Sequence, residues 1–237
     1  MPRGQKMDNS QLQHTNRQYE EELRGLRAGL LKMGGLVERQ IADAVESLVE
    51  RDIEKAHQTI VRDAEVNRMD IESDERCIRL LALHQPAARD LRFITTGLKI
   101  TTDLERIGDN AVNICERALE LSEQPQLKPY IDIPRMAAIA QSMVTDSLDA
   151  FVRDDTALAE EVIERDDEVD ALNYQIYREL LSYMAEDPST ISRATQILFV
   201  SKYLERIADH ATNIAEMVVY MVKGRTIRHM DKKTRRP

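Results

Sequence analysis

Residues 104–114 read LERIGDNAVNI, and residues 204–214 read LERIADHATNI. Eight of the eleven positions are identical, at an offset of 100 residues. A second match, RDAEV at 62–66 and RDDEV at 165–169, recurs at an offset of 103, which a small insertion or deletion explains. Agreement this dense indicates an internal duplication. It divides the 237-residue chain into two related units.

Apolar residues in each unit recur every three or four positions, which is the period of an α-helix. This pattern predicts six long helices, over about 17–48, 52–83, 87–121, 135–151, 156–184 and 190–222. The stripe of the second helix is predicted to use Ile60, Ile71, Ile78 and Leu81. Short turns make consecutive helices antiparallel neighbours, so the predicted fold is all-α, with two pseudo-symmetric three-helix bundles.

Prolines and glycines set the predicted boundaries. Three prolines at 125, 129 and 134 interrupt any helix between the units. The predicted organisation is a flexible N-terminal arm at 1–15, bundles at 16–122 and 135–223, a linker at 123–134 and a basic tail at 224–237. Gly34 and Gly35 predict a bend or a close helix approach, and Gly224 suits the end of the sixth helix.

Charge and hydropathy exclude several classes of protein. The chain carries a formal charge of −9, but residues 223–237 hold seven basic residues and one acid. The remaining body holds 26 basic and 41 acidic residues, a formal charge of −15, which argues against nucleic-acid binding. No apolar run reaches the length of a membrane span, and residues 1–6 lack a signal sequence. A cytoplasmic protein is expected.

Polar residues at steps of four follow both motif helices: Glu105, Asp109 and Asn113, and Glu205, Asp209 and Asn213. At about 100° per residue, each line lies roughly opposite the apolar stripe centred on Ile107 or Ile207, so it is predicted to face outward. A solvated surface and a metal site both explain one such line. Its repetition adds weight to a metal site, and both interpretations stay open.

A second acidic pair, Asp70 and Asp74, lies one turn apart on the second helix. Antiparallel packing beside the third helix would bring this pair towards Glu105 and Asp109. Four carboxylates at close quarters repel one another unless a cation lies among them. Oxygen ligands without His or Cys favour a hard ion such as magnesium, manganese, calcium or iron.

The repeated motif, read from Asp103 to Ile114 as D-x-E-R-x-G-D-x-x-x-N-I, resembles the motif of the PhoU family. The Asp70–Asp74 pair, the Met33-Gly-Gly segment and the paired three-helix units resemble that family too. The resemblance covers nearly the whole chain beyond the N-terminal arm. It implies a bound divalent or multinuclear metal on the outer face of each bundle, with iron, manganese, magnesium and zinc as candidates.

The implied metal ligands are Asp70, Asp74, Glu105 and Asp109 in the first unit and Glu205 and Asp209 in the second. The second unit departs from the family pattern, because Asn173 and Tyr177 align with the first unit's aspartate pair. Arg106 and Arg206 precede Asp109 and Asp209 by three residues. Each arginine either orients a ligand carboxylate or forms an ordinary surface ion pair, and both interpretations stay open. Asn113 and Asn213 are expected in supporting positions.

The resemblance also implies a function. Members repress the phosphate regulon and restrain phosphate uptake, by contacts with the ATPase subunit of the phosphate ABC transporter and with a sensor histidine kinase. A homodimer is expected, reaching the membrane only through these partners, without catalysis and without nucleic acid. Two alternatives stay open: a metal-dependent phosphohydrolase, for which the sequence supplies no clear base or nucleophile, and a purely structural helical dimer, which leaves the doubled acidic motif unexplained.

Overall fold

The computed structural model describes the backbone of residues 9–225 and 227, and side chains from residue 17 onward. Six α-helices follow in chain order: α1 (Asn9–Glu50), α2 (Ile53–His84), α3 (Ala88–Ser122), α4 (Asp132–Arg153), α5 (Thr156–Glu186) and α6 (Ile191–Lys223). A short 3-10 helix, Pro188–Thr190, leads into α6, and the described residues contain no strand. The prediction of an all-α fold with six long helices is confirmed.

Both units use the same devices to turn the chain. Arg51 and Asp154, 103 positions apart, end α1 and α4 with left-handed backbone angles, φ 58° and 54°. The next residue in each unit, Asp52 or Asp155, accepts hydrogen bonds through its side chain from backbone amides in the first turn of α2 or α5. Such capping satisfies amide groups that have no partner inside the helix. The duplication therefore extends to the turns.

The helices form two three-helix bundles that pack side by side. Helices α1, α2 and α3 pack on one another, and so do α4, α5 and α6. The bundles meet where α3 packs on α6 and α1 packs on α4. Helices α2 and α5 pack only within their own bundle, so they lie on the outer flanks. The prediction of two paired bundles is confirmed.

The core follows the stripes predicted for the motif helices. Leu104, Ile107, Leu204 and Ile207 are all fully buried. Half of the stripe predicted for α2 is wrong: Ile60 and Leu81 pack against the core, but Ile71 and Ile78 are largely exposed. Helix α2 instead buries a row that includes small and polar side chains: Ala56, Thr59, Val66, Met69, Ser73, Cys77 and Leu80. A search for strongly hydrophobic residues misses this row, because its small side chains are buried for the close helix packing that they allow.

Two predicted boundaries need correction. Helix α1 starts at Asn9, so residues 9–15 of the predicted flexible arm are helical; no proline or glycine in that stretch ends the helix. Helix α4 starts at Asp132, inside the predicted linker, because Pro134 occupies its first turn, where proline is tolerated. Residues 1–8 and most of the basic tail lie outside the described part of the chain.

Helix α6 ends at Gly224, as predicted. The amide of Gly224 donates to the carbonyl oxygen of Tyr220 at 2.8 Å, with the glycine in the left-handed region (φ 67°) that closes a helix. Among the helices that the structure describes, none combines the length and the apolar character needed to cross a membrane.

Candidate functional site

The acidic face of the first unit is organised by one arginine. Arg106 Nη1 donates to Asp109 Oδ2 at 2.8 Å, and its Nε lies 3.3 Å from Glu105 Oε2. The guanidinium therefore bridges the two carboxylates of α3 that the sequence singles out. Only 21% of the Glu105 side chain is exposed, so this is a partly buried cluster and not the fully solvated face that helical geometry predicts.

Helix α2 brings Asp70 and Asp74 to the same cluster. Burial, followed by repulsion from Asp74, raises the pKa of Asp70, and the charge of Arg106 opposes the rise. Burial and then Asp109 raise the pKa of Glu105, with Asp70 among the further carboxylates that act on it. Asp70 of α2 therefore lies within electrostatic range of Glu105 on α3, while Asp74 acts on Asp70 from the next turn of α2.

A fifth carboxylate, Asp63, belongs to this cluster and was not predicted. Its Oδ1 accepts from Gln40 Nε2 at 3.1 Å, and its Oδ2 accepts from Asn67 at 2.9 Å. Burial raises the pKa of Asp63; these two hydrogen bonds lower it, and Asp109 raises it again. Asp63 lies in the RDAEV segment that recurs in the second unit. That repeat was the only sequence signal for Asp63, and it indicates a duplication more directly than it indicates a binding site.

Gly108 allows this approach. A methyl group built on it would lie 3.0 Å from Asp63 Oδ1 and 3.2 Å from Gln40 Oε1. Gln40 is 4% exposed, and its Oε1 has no hydrogen-bond partner. A buried carbonyl oxygen without a partner is costly. Ala208 occupies the matching position of the second unit.

The cluster fits a hard metal ion in its chemistry but not in its present spacing. Its donors are oxygen atoms with crowded negative charge, the ligands that divalent magnesium or manganese prefers. Yet across residues 17–225 and 227, no three His, Cys, Asp or Glu side chains stand close enough to hold one ion between them. The positive charge beside Glu105 and Asp109 is instead supplied by Arg106, which forms an ion pair with each of them.

The second unit arranges its carboxylates differently. Lys202 Nζ lies 2.5 Å from Glu205 Oε2, so a lysine one turn earlier supplies the local positive charge. Desolvation of its carboxyl, followed by repulsion from Glu205, raises the pKa of Asp209, while Lys202 opposes the rise. Asp170 also acts on Asp209 from α5. Glu205 and Asp209 are therefore neighbours, as predicted, beside a lysine that the first unit lacks.

Two residues on α5 replace the aspartate pair of the first unit. Asn173 Oδ1 accepts from Ser201 Oγ at 2.9 Å. Tyr177 is 45% exposed, and its ring centre lies 6.5 Å from that of Tyr174. These side chains and Lys202 line a shallow hollow of about 300 Å³. The second acidic face has thus been replaced in part by an aromatic surface.

Three of the four supporting residues are placed differently from the prediction. The Arg206 guanidinium lies 5.9 Å from the ring centre of Tyr203 and pairs with no described carboxylate, unlike Arg106. Asn213 Nδ2 donates to Asp103 Oδ1 of the first unit at 3.3 Å. Asn113 makes no hydrogen bond to Glu105 or Asp109. Steps of four residues overshoot a 3.6-residue turn by about 40°, so two steps carry each asparagine away from its carboxylates.

These features define a class: duplicated three-helix proteins in which each unit carries an acidic motif on its third helix. The PhoU domain family matches residues 30–118 and 133–218, one match in each unit. The chain therefore belongs to the PhoU family, as the sequence motif indicates.

Individual relatives agree over most of the chain. A phosphate-specific transport system accessory protein PhoU homologue of Pseudomonas putida is 44% identical over 218 residues, covering 92% of this chain and 85% of that protein. The homologue of Aquifex aeolicus is 44% identical over 209 residues, covering 88% of this chain and 95% of that protein. The crystal structure of PhoU from Pseudomonas aeruginosa matches with a TM-score of 0.85 at 44% identity, covering 87% of this chain and 100% of that one.

Proposed function

We propose that this chain is an accessory and regulatory protein of a phosphate-specific transport system. The observation that carries the proposal is the match of both units to one family, together with 44% identity to homologues named for that role. In this proposal the protein restrains phosphate uptake and represses the phosphate regulon when phosphate is plentiful. It is a cytoplasmic homodimer that reaches the membrane only through its partners.

The protein acts by protein–protein contact and not by catalysis. Its proposed partners are the ATPase subunit of the phosphate ABC transporter and a sensor histidine kinase. Exposed apolar side chains on the outer helices support this mode of action: Ile71 and Ile78 on α2 are 60% and 61% exposed, and Tyr174 on α5 is 61% exposed. Ile71 and Ile78 lie two turns apart on one face of α2, and exposed apolar groups that share a face are typical of protein contact sites.

A divalent metal at the first unit is part of the proposal. Asp70, Asp74, Glu105 and Asp109 would hold it, because burial and mutual repulsion raise the pKa of Asp70 and Glu105 and a cation would relieve that repulsion. Loading would require Arg106 to release Glu105 and Asp109. Glu205 and Asp209 would form a weaker second site, since Asn173 and Tyr177 supply no carboxylate and Lys202 already neutralises Glu205.

A deletion strain tests the regulatory role. Without the gene, phosphate-starvation genes are expected to be expressed even in rich phosphate, and the full chain is expected to restore repression. Pull-down from lysate is expected to recover the transporter ATPase or the sensor kinase. Unchanged regulation after deletion would refute the proposal. Turnover of a phosphate ester that requires manganese or iron and is lost in Asp74→Asn would favour the phosphohydrolase instead.

A further inference from the structure

A groove of about 540 Å³ lies at one end of the molecule, away from both acidic faces. It forms where the early part of α1 and the first turns of α3 meet the residue after α4 and the end of α6. Both units therefore contribute to its walls. A volume of this size falls within the range of small-molecule sites in proteins.

Four arginines line this groove: Arg24 and Arg27 from α1, and Arg89 and Arg92 from α3. Arg89 pairs with Asp154. The other three form no ion pair with a described carboxylate. Four guanidiniums converging from two helices are unusual in a body whose formal charge is strongly negative, and three of them retain N–H groups able to bind an anion.

Two of these arginines are held in place by contacts that leave their terminal N–H groups available to bind an anion. The Arg27 guanidinium lies 5.0 Å from the ring centre of Phe93, and Phe93 in turn stacks on Phe151 at 5.2 Å. Arg92 donates through Nε to the carbonyl oxygen of Met221 at 3.0 Å. A guanidinium fixed before binding loses less conformational freedom when it takes an anionic ligand.

The start of α3 adds to the positive potential. The residue before it, Ala87, makes no side-chain capping hydrogen bond, whereas Asp52 and Asp155 cap α2 and α5. A helix N-terminus carries a partial positive charge. Asp90 in this first turn offsets part of it, and Arg89 and Arg92 add positive charge in or near the same turn. An anion bound in the groove would offset the charge of the arginines and the partial charge of the helix N-terminus.

The opposite end of the molecule is packed differently. There Arg51, the counterpart of Asp154, donates through Nη2 to the carbonyl oxygens of Ser122 and Gln124 at 2.6 and 2.7 Å. The linker between the units fills that end, with Lys128 and Tyr130 both buried. Among the described residues, no segment fills the arginine groove in the same way.

Three acids also line the groove, so it selects among anions. Asp154 is neutralised by Arg89, and Asp90 accepts a hydrogen bond from Tyr19 Oη at 3.1 Å. Glu20 is the third. The apolar side chains Leu23 and Val222 form part of the same wall. A ligand with phosphoryl groups at the arginines and a less polar remainder matches this lining better than a simple ion does.

We propose that the arginine groove is a binding site for a small phosphorylated molecule of mononucleotide size. Arg24, Arg27 and Arg92 bind its phosphoryl oxygens, and the apolar wall contacts the rest of the molecule. The pairing of planar guanidinium forks with phosphoryl oxygens supplies the recognition. This site is independent of the carboxylate cluster and of the proposed regulatory contacts.

Isothermal titration of the full chain with ADP and ATP tests the site. The titrations are run in EDTA, so that a metal on the acidic face cannot hold the nucleotide. Arg24→Ala with Arg27→Ala is expected to weaken binding about tenfold or more, because two charged hydrogen-bond donors are lost. The control is Arg68→Ala with Arg79→Ala, which removes the same charge from the exposed surface of α2 and is expected to bind as wild type does.

Arg27→Lys separates loss of binding from loss of folding, because lysine keeps the positive charge but lacks the planar guanidinium. This variant is expected to bind with intermediate affinity and to have an unchanged circular dichroism spectrum. Absence of heat with both nucleotides would overturn the proposal. So would equal weakening in the control, or inorganic phosphate binding as tightly as ADP. Binding of a hexaglutamate peptide in place of either nucleotide would overturn it in favour of an acidic protein partner.

Discussion

The Nδ1 atom of His210 lies 2.8 Å from the Oδ1 atom of Asp103. This contact joins α6 of the second unit to α3 of the first, and Asn213 donates to the same oxygen at 3.3 Å. The duplication does not repeat it: the matching residues are Asn110 and Tyr203, and Asn110 donates instead to a carbonyl of its own helix. The junction between the units is therefore asymmetric although the units are alike.

This asymmetric contact is expected to stabilise the junction. In a double-mutant cycle, His210→Ala and Asp103→Ala should show a coupling free energy of about 0.5–1.5 kcal/mol, because the pair is partly shielded from water. Urea denaturation measures the four stabilities. His57→Ala, at an exposed histidine of α2, combined with Asp103→Ala provides the control and should show additive effects. Additivity in the His210 cycle would contradict the expectation.

The adjacent glycines of α1 are expected to respond in opposite directions to alanine. A methyl group on Gly34 would overlap Cδ1 of Leu148 on α4, whereas a methyl group on Gly35 would meet no atom within 4 Å. Gly34→Ala should lower the free energy of unfolding by about 1–3 kcal/mol through overpacking. Gly35→Ala should raise it by up to about 1 kcal/mol, since alanine favours the helix. Thermal unfolding compares them, and equal effects would refute the close approach.

Removing two carboxylates of the first acidic face should lower the metal content of the purified protein. Glu105→Ala with Asp109→Ala is expected to do this without unfolding the chain, because neither side chain lies in the apolar core. Elemental analysis of untagged protein, prepared without chelator, measures the metal. A lower melting temperature in excess EDTA would show instead that the carboxylates are structural.

The same helix provides a matched control for that experiment. Arg117 Nη2 lies 3.6 Å from Glu116 Oε2 and 3.0 Å from Glu120 Oε1, a bridge like that of Arg106, and its Nη1 donates to Gln196 of α6. Glu116→Ala with Glu120→Ala should leave metal content unchanged. Equal loss in both double variants would count against a specific site.

Glu38, on α1, should make the stability of the fold depend on pH. Burial raises its pKa above the ordinary value of 4.5, a hydrogen bond with Thr145 offsets part of the rise, and Asp149 and Asp146 add to it. A carboxyl with a raised native pKa stabilises the fold below its unfolded pKa, and this contribution is lost as pH rises through the native pKa. Glu38→Gln should therefore exceed wild type in stability at pH 7, by up to about 1 kcal/mol, and the difference should shrink towards pH 4.

Denaturant titrations at several pH values measure this difference. Glu72→Gln is the control, because that side chain is 57% exposed and its pH dependence should follow wild type. A Glu38→Gln variant that is less stable at pH 7 would show that the carboxylate makes a favourable contact that outweighs its burial.

The sequence by itself determined the helices, the duplication and the family. The motifs at 104–114 and 204–214 carry both the period of the core and the repeat, so the paired bundles follow from pattern alone. Helix starts were predictable where a chemical signal marks them, as Asp52 does for α2. The start of α1 was not predictable. An apolar stripe marks only the part of a helix that packs on a core, and the first turns of α1 are mostly polar and show no stripe.

Only the tertiary structure decided how the acidic residues are used. Spacing along one helix could not show that Arg106 bridges Glu105 and Asp109, or that Asp63 joins them from α2. It also could not show that Asn213 turns to Asp103. The arginine groove is assembled from residues as far apart as 20 and 222. Periodicity fixes which face of a helix a residue occupies, but its electrostatic partners depend on which helices pack beside that face.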